Sequence, residues 1–388
     1  MSKNNTEKPI RHGAALVAGG AIGAGMFALP IAAAGAWTVW TFIGLVAICF
    51  LTVTAASILL QVHSRFELGA SFHTLVLKSY GPLLAWLNNI SIVFIMLILM
   101  YAYITAGGRV LQGGPLGQLG QLLSVAFSAA IAIIVCLGAS LVSRLSMVLI
   151  IIMAASFLAV ISSLIPNMDL GSLTLSNSSA GVKGLMLAIP VFVAAFACGG
   201  IVPSLVDYYR GDINRARKSV VTGALLALLV YVLWVFGIFA LLGQPHLAAL
   251  SAQGGGLAEL LVSLKSIDKH NFIVWTLNWF SHFAVITSFL SIALGLVHFL
   301  IDRFGLPHSS RSRLIATIVA FLPPTIASLV APYGFVTAIA YAGFFVAFSF
   351  FIVPAMLYVK HFRWNLNSVF VMSAGVLVML LKGWGYFP

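Results

Sequence analysis

Runs of roughly 20 apolar residues recur along the whole length of this 388-residue chain. Each is long enough to cross a hydrocarbon core of about 30 Å as an α-helix. The rest of the composition agrees. Hydrophobic residues make up 61% and charged residues 7%, where a soluble domain has about a quarter charged. The runs do not alternate apolar and polar residues, which argues against an outer-membrane barrel. The formal charge of +12 sits in short loops between apolar runs. It is a topology signal, not a face for nucleic acid. The lipid bilayer is the partner implied, with no obligatory protein partner.

Eleven spans are expected, at 12–34, 37–61, 83–108, 121–141, 145–166, 183–208, 217–243, 271–301, 312–330, 335–359 and 365–384. The polar segment 63–81 predicts a short surface helix, and 244–270 predicts the longest extramembrane connection. Lys3, Lys8 and Arg11 precede the first run, but a glycine-rich stretch of that length exceeds the about 7–15 residues of a signal-peptide core. The first run is therefore expected to stay as a span. With the N-terminus inside, 15 of the 20 lysines and arginines fall on inner segments, the bias of the positive-inside rule. This predicts a multi-pass protein of a bacterial inner membrane with its C-terminus on the periplasmic side.

Two spans differ from the rest. The first contains Ala18-Gly-Gly-Ala-Ile-Gly-Ala-Gly-Met-Phe-Ala-Leu-Pro30, and the sixth contains Phe196-Ala-Cys-Gly-Gly-Ile-Val-Pro203. Glycine costs about 1 kcal/mol and proline about 3 kcal/mol in a helix interior, so both helices should open at mid-depth. Unwound backbone is tolerated there only where protein encloses it or it lines a polar cavity. An offset of five spans makes the two broken helices antiparallel. That is the pattern of inverted repeats, here 12–166 and 183–359, with substrate at the breaks and span 365–384 added. Close helix packing would explain one glycine-rich span, but two at matching positions favour the broken helices.

The first motif, the Val202-Pro-Ser-Leu205 segment with Tyr208, and Thr287-Ser-Phe-Leu-Ser-Ile-Ala-Leu-Gly-Leu296 together resemble the hydroxy/aromatic amino acid permeases. That family includes bacterial tyrosine and tryptophan permeases and belongs to the amino acid–polyamine–organocation superfamily. The resemblance implies an all-α, eleven-helix transporter with a 5+5 inverted repeat of the LeuT type. It implies import of an aromatic amino acid, tyrosine first and then tryptophan or phenylalanine, by proton symport. Cys198 and Gly199 stand where the family often has an aromatic residue and a histidine, and His298 stands where an acid is common. These departures bear on the substrate, not on the fold.

An amino acid offers a carboxylate, an ammonium and a side chain. N–H groups around Gly23, Ala24 and Gly25, at the start of a half-helix, suit the carboxylate. Carbonyls of Ala21, Ile22, Phe196 and Ala197 are candidates for the ammonium, since no carboxylate lies within a span. Ala197, Cys198, Gly199 and Gly200 leave room for an apolar side chain, with Ile98, Tyr101, Ser288, Ile292 and Phe344 as facing candidates.

Gly19, Ile22, Ala284, Thr287 and Ser288 are the candidate sodium ligands, although Thr and Ser in membrane helices more often bond their own backbone. His282 lies well inside a span and is the candidate proton carrier. Arg11 and Asp302, or Lys8 in place of Arg11, are the candidate inner gate. A sodium-coupled symporter or an exchanger of another neutral amino acid is the main alternative function. No cofactor and no other metal is expected. All eight acidic residues lie in or beside loops, and no histidine pair has metal spacing, so an enzyme is not expected. A channel would not need two matched breaks. Cys49, Cys136 and Cys198 show no pairing pattern.

Overall fold

The computed structural model describes residues 9–112, 117–173, 178–265, 272–307 and 309–384. Lys3, Lys8 and Lys269, which entered the charge count, lie outside the described residues, as does the first residue of the expected span 271–301. Among the described residues the chain is helical throughout, with no strand.

The first span is split into α1 (Ile10–Ala21) and α2 (Ala28–Ala32). Next come α3 (Trp37–His63) and the expected surface helix α4 (Phe72–Tyr80). Ser71 caps α4, its hydroxyl accepting from the N–H of Thr74 at 3.2 Å, a side chain satisfying an orphan first-turn donor. Three helices follow: α5 (Pro82–Gln112), α6 (Leu122–Leu137) and α7 (Ala139–Leu164). The sixth span is split into α8 (Ser178–Ala195) and α9 (Val202–Tyr208). Then come α10 (Ile213–Ala252), α11 (Leu257–Lys265), α12 (Phe272–Arg303) and α13 (Ser310–Val330). The tenth span runs through α14 (Phe335–Ala347), a π-helical stretch over Phe348–Ile352, and α15 (Val353–Phe362), and α16 (Leu366–Trp384) ends the fold.

Among the described residues eight helical stretches are long and apolar enough to cross a membrane, and the bent pair α1–α2, taken as one span, makes a ninth. Shorter apolar helices at Leu122–Leu137 and Leu366–Lys382 coincide with the expected fourth and eleventh spans. Leu83, Ile151 and Leu158 are 71%, 67% and 67% exposed. Large aliphatic side chains presented in this way along helices need lipid, not water, as solvent.

The described part of the connection expected at 244–270 is largely helical. Gly243 has φ 71°, a conformation glycine adopts without steric cost. Its kink redirects α10, which resumes through Pro245 to Ala252 before α11 begins.

The core gathers around α10, which packs along α1 and also touches α2, α3 and α9. Small residues permit the approach to α1: a Cβ on Gly13 would overlap Ser219, and one on Gly223 would overlap Val17. This close backbone contact is how membrane helices associate when apolar burial supplies little drive. On the other side of the bundle α12 packs against α7 and α5.

Candidate functional site

Both expected breaks are present, and both are narrower than the glycine runs suggested. Gly19 and Gly20 remain helical in α1. Only Ile22 and Gly23 are extended, with ψ of 99° and −159°, and a 3₁₀ turn over Ala24–Phe27 leads into α2. In the sixth span Phe196, Ala197 and Cys198 interrupt the helix, and a 3₁₀ turn over Gly199–Ile201 leads into α9. Pro203 does not cause this break. It sits in the first turn of α9, where its missing N–H is no loss.

Main-chain hydrogen bonding defines what the breaks can do. Among the described residues, no hydrogen bond engages the N–H of Gly23 or Gly25, and none reaches the carbonyl of Ile22, Phe196 or Ala197. Gly23 and Phe196 are buried, and Ile22, Gly25 and Ala197 are partly buried. Unpaired buried backbone groups are rare because each costs about as much as a lost hydrogen bond. Here donors on one break and acceptors on both form a set that matches a carboxylate and an ammonium. The carbonyl of Ala21, expected to join this set, instead accepts a hydrogen bond at 2.6 Å from the hydroxyl of Tyr231 on α10.

Tyr231 also reaches the carbonyl of Ala195, at 2.7 Å, so one buried phenol touches the last turns of both α1 and α8. One turn along α10, the indole N–H of Trp234 donates to the carbonyl of Met26 at 3.1 Å. The rings of Phe27, Trp234 and Phe280 pack together, with centroids 5.4 to 6.2 Å apart, and Phe196 meets Tyr231 edge-on at 4.8 Å. Sequence reasoning missed Tyr231 and Trp234. Polar-tipped aromatics three residues apart in an otherwise apolar span were the available signal, since such tips need partners when buried.

Ser288 on α12 lies directly against Gly23, where a Cβ would overlap its hydroxyl oxygen. Buried Tyr103 on α5 faces the side chain of Ser288. Tyr103, not Tyr101, is thus the α5 tyrosine facing the first break. Tyr101 donates its hydroxyl to the carbonyl of Ala331, at the turn between α13 and α14. Two residues along a helix separate side chains by about 200°, so a misplaced register puts a tyrosine on the wrong face.

The structure does not leave the space at Gly199 empty. A Cβ there would run into the ring of Phe350, which the π-helical stretch carries towards the break. Cys198 is buried and lines a small cavity with Thr52, Ala55, Val346 and Phe351. Gly200 is exposed, and beside Gly25 the nearest atom to an added Cβ is the Cα of Ala195 at 3.9 Å. Room therefore exists at Gly25. Ile98, Ile292 and Phe344 are partly buried on α5, α12 and α14, and Phe344 stacks edge-on against Phe345 at 5.1 Å.

Of the ion-coupling candidates, the hydroxyl of Thr287 donates within its own helix, to Phe283 at 2.9 Å and Ala284 at 3.1 Å. Gly19 is exposed, with open space beside it. His282 is partly buried, and its Nδ1 lies 2.7 Å from the carbonyl of Asn278. A carbonyl accepts only, so Nδ1 carries the proton and Nε2 is the basic nitrogen. Arg11 and Asp302 are both exposed, and no ion pair joins them among the described residues. No cluster of three or more His, Cys, Asp or Glu residues suited to a metal occurs among the described residues.

At the opposite end from Arg11, Arg109 on α5 forms an ion pair with Glu259 on α11. Its guanidinium lies 4.0 Å from the centre of the Tyr333 ring.

The fold, with its paired breaks, is of the LeuT type. MhsT, solved in complex with L-phenylalanine, superposes with a TM-score of 0.63 over 96% of this chain and 95% of its own, at 15% identity. The chain belongs to the tryptophan/tyrosine permease family, which it matches over residues 6–382. A tryptophan-specific transport protein of Haemophilus influenzae is 35% identical over 89% of this chain and 86% of its own length. The low affinity tryptophan permease of Escherichia coli is 30% identical, covering 94% of this chain and 90% of its own. The tyrosine-specific transport system 1 of H. influenzae is 28% identical, covering 94% and 92%.

Proposed function

We propose that this permease imports an aromatic amino acid by proton symport and alternating access, with tryptophan ahead of tyrosine. The unpaired main-chain groups carry the reading: N–H at Gly23 and Gly25, and carbonyls at Ile22, Phe196 and Ala197. An amino acid satisfies both sets at once, the carboxylate on the first break and the ammonium between the two. Ser288 stands beside Gly23, with Tyr103 next to it, to complete the carboxylate contacts. The order of substrates reverses the one the resemblance implied, because the tryptophan-specific transport protein of H. influenzae is 35% identical to this chain, against 28% and 30% for the tyrosine-specific transport systems 1 and 2 of the same organism.

The two breaks belong to two inverted repeats, 12–166 and 183–359, with 365–384 appended, and these rock about the site to expose it alternately. The lysine and arginine bias sets the N-terminus in the cytoplasm and the C-terminus in the periplasm. His282 is the proton carrier in this reading, because the bond from Nδ1 leaves Nε2 as its basic nitrogen.

The test is uptake of labelled tryptophan into liposomes, with imposed proton or sodium gradients and competition by each of the twenty amino acids. The expected result is uptake driven by an inward proton gradient and blocked best by tryptophan, then tyrosine. Uptake that follows sodium and ignores the proton gradient would overturn the coupling. Equal competition by small neutral amino acids would overturn the substrate class.

A further inference from the structure

The first turns of α10 present two faces. Ala216, Ser219, Val220 and Gly223 are buried, and Ser219 and Gly223 pack against α1. Asn214, Arg217, Lys218, Val221 and Thr222 lie at spacings of three, four, seven and eight, which is one helix face. With Ile10 at the start of α1 they line an open groove. Arg217 and Lys218 are exposed, and no ion pair engages either among the described residues. Their neighbour Arg215 is already committed to Asp212, at 3.2 Å.

The same face continues as a different surface. Leu225, Leu226 and Leu229 are 54%, 45% and 55% exposed, and Leu229 lies about 18 Å along the helix from Arg217. Two cations with no ion pair among the described residues, with amide and hydroxyl neighbours, thus cap an exposed aliphatic track of about acyl-chain length. Ordinary inner-loop lysines and arginines need no such track beneath them, nor a groove shared with a second helix.

We propose that this groove between α1 and α10 is a binding site for an anionic phospholipid of the cytoplasmic leaflet. The phosphate sits between Arg217 and Lys218, and Asn214 and Thr222 are the hydrogen-bonding partners for the headgroup. The acyl chains follow the leucine track. The occupant also touches Ile10, the first residue of the half-helix that leads to the substrate break. The leaflet follows from the orientation read from charge, and nothing else in the proposal depends on which amino acid is carried.

The test uses the full-length protein in detergent, with native mass spectrometry to count bound lipid after adding phosphatidylglycerol or phosphatidylethanolamine. Inorganic phosphate is included as competitor in a separate arm. The wild type should retain phosphatidylglycerol preferentially. Lys218→Gln should weaken its apparent affinity roughly fivefold and the Arg217→Gln, Lys218→Gln double variant about 25-fold, with phosphatidylethanolamine unchanged. Lys360→Gln with Arg363→Gln removes the same charge elsewhere on that side and should leave retention as in the wild type. Undiminished retention by the groove variant, or an equal loss in the control, would overturn the site. Displacement of the lipid by millimolar phosphate would show an anion site that does not read lipid, and would overturn it too.

Discussion

The hydroxyl of Tyr231 lies 2.6 Å from the carbonyl of Ala21, the last helical residue before the first break. A second contact, at 2.7 Å, reaches the carbonyl of Ala195, the last helical residue before the other break. One phenol proton is therefore shared by two carbonyls that helix termination left without partners. It fixes the half-helices to each other as well as to α10. Tyr231→Phe keeps the ring contact with Phe196 and removes only the bond. Two buried carbonyls then lose their donor, each worth about 1–3 kcal/mol. The variant should insert normally, melt several degrees lower, and lose transport by tenfold or more. Wild-type uptake and melting in Tyr231→Phe would show that the bond does not organise the site.

Much of this was legible in the sequence. Apolar runs and glycine-rich motifs located the broken spans because helix cost and bilayer thickness act locally along the chain. Gly23 and Gly25 could be singled out for the same reason. What escaped was whatever depends on rotation about a helix axis. Tyr103 faces the break and Tyr101 does not, and an apolar span gives no polar stripe to set its phase. The placement of Phe350 against Gly199 escaped too, because the π-helical stretch over Phe348–Ile352 shifts the register beyond it. Tyr231 needed the fold, since its partners lie 210 and 36 residues away in sequence.

Gly25 separates a structural role from a substrate role. The nearest atom to an added Cβ is 3.9 Å away, so Gly25→Ala meets no steric conflict in the folded protein. The methyl group would occupy space beside an unbonded N–H. Gly25→Ala should leave expression and melting temperature unchanged while raising KM for tryptophan severalfold. Gly25→Leu should abolish uptake in a correctly inserted protein. Normal uptake by a well-expressed Gly25→Leu protein would rule out substrate at this position.

The ion pair between Arg109 and Glu259 joins α5 to α11, and the ring of Tyr333 under Arg109 adds the turn after α13. Glu259 also accepts from the N–H of Gly256 at 2.7 Å, so its carboxylate is held from both sides. By the charge-derived orientation this is the periplasmic end, and we propose that the cluster closes it. A partly shielded pair with a cation–π contact is worth about 1 kcal/mol. Glu259→Gln should then raise the labelling rate of a cysteine placed at Thr105 by about fivefold, using a membrane-impermeant reagent and a protein lacking its native cysteines. Tryptophan uptake should fall in the same variant. An unchanged labelling rate would mean that the pair does not hold this end shut.

Asp302 stands 15 residues beyond Thr287 on α12, about 22 Å further along the helix. Arg11 opens α1 on the same side of the bundle in the charge-derived topology. In the present conformation both side chains are exposed and no ion pair joins them among the described residues, while the open space beside Gly19 and Gly20 leaves α1 room to move. We propose that the two residues pair when the site faces outward and part when it opens inward. Solvated as separate charges they would contribute almost nothing, since exposed pairs are worth about 0–1 kcal/mol. As a gate their weight lies in shifting populations between states. Asp302→Asn should therefore favour inward-facing protein and weaken substrate binding from outside, without changing the order of substrates. Arg11→Asp should do the same. Combined as Arg11→Asp with Asp302→Arg, the swapped charges should recover part of the transport that either single change loses. Strictly additive losses in this double-mutant cycle would show that the residues never meet.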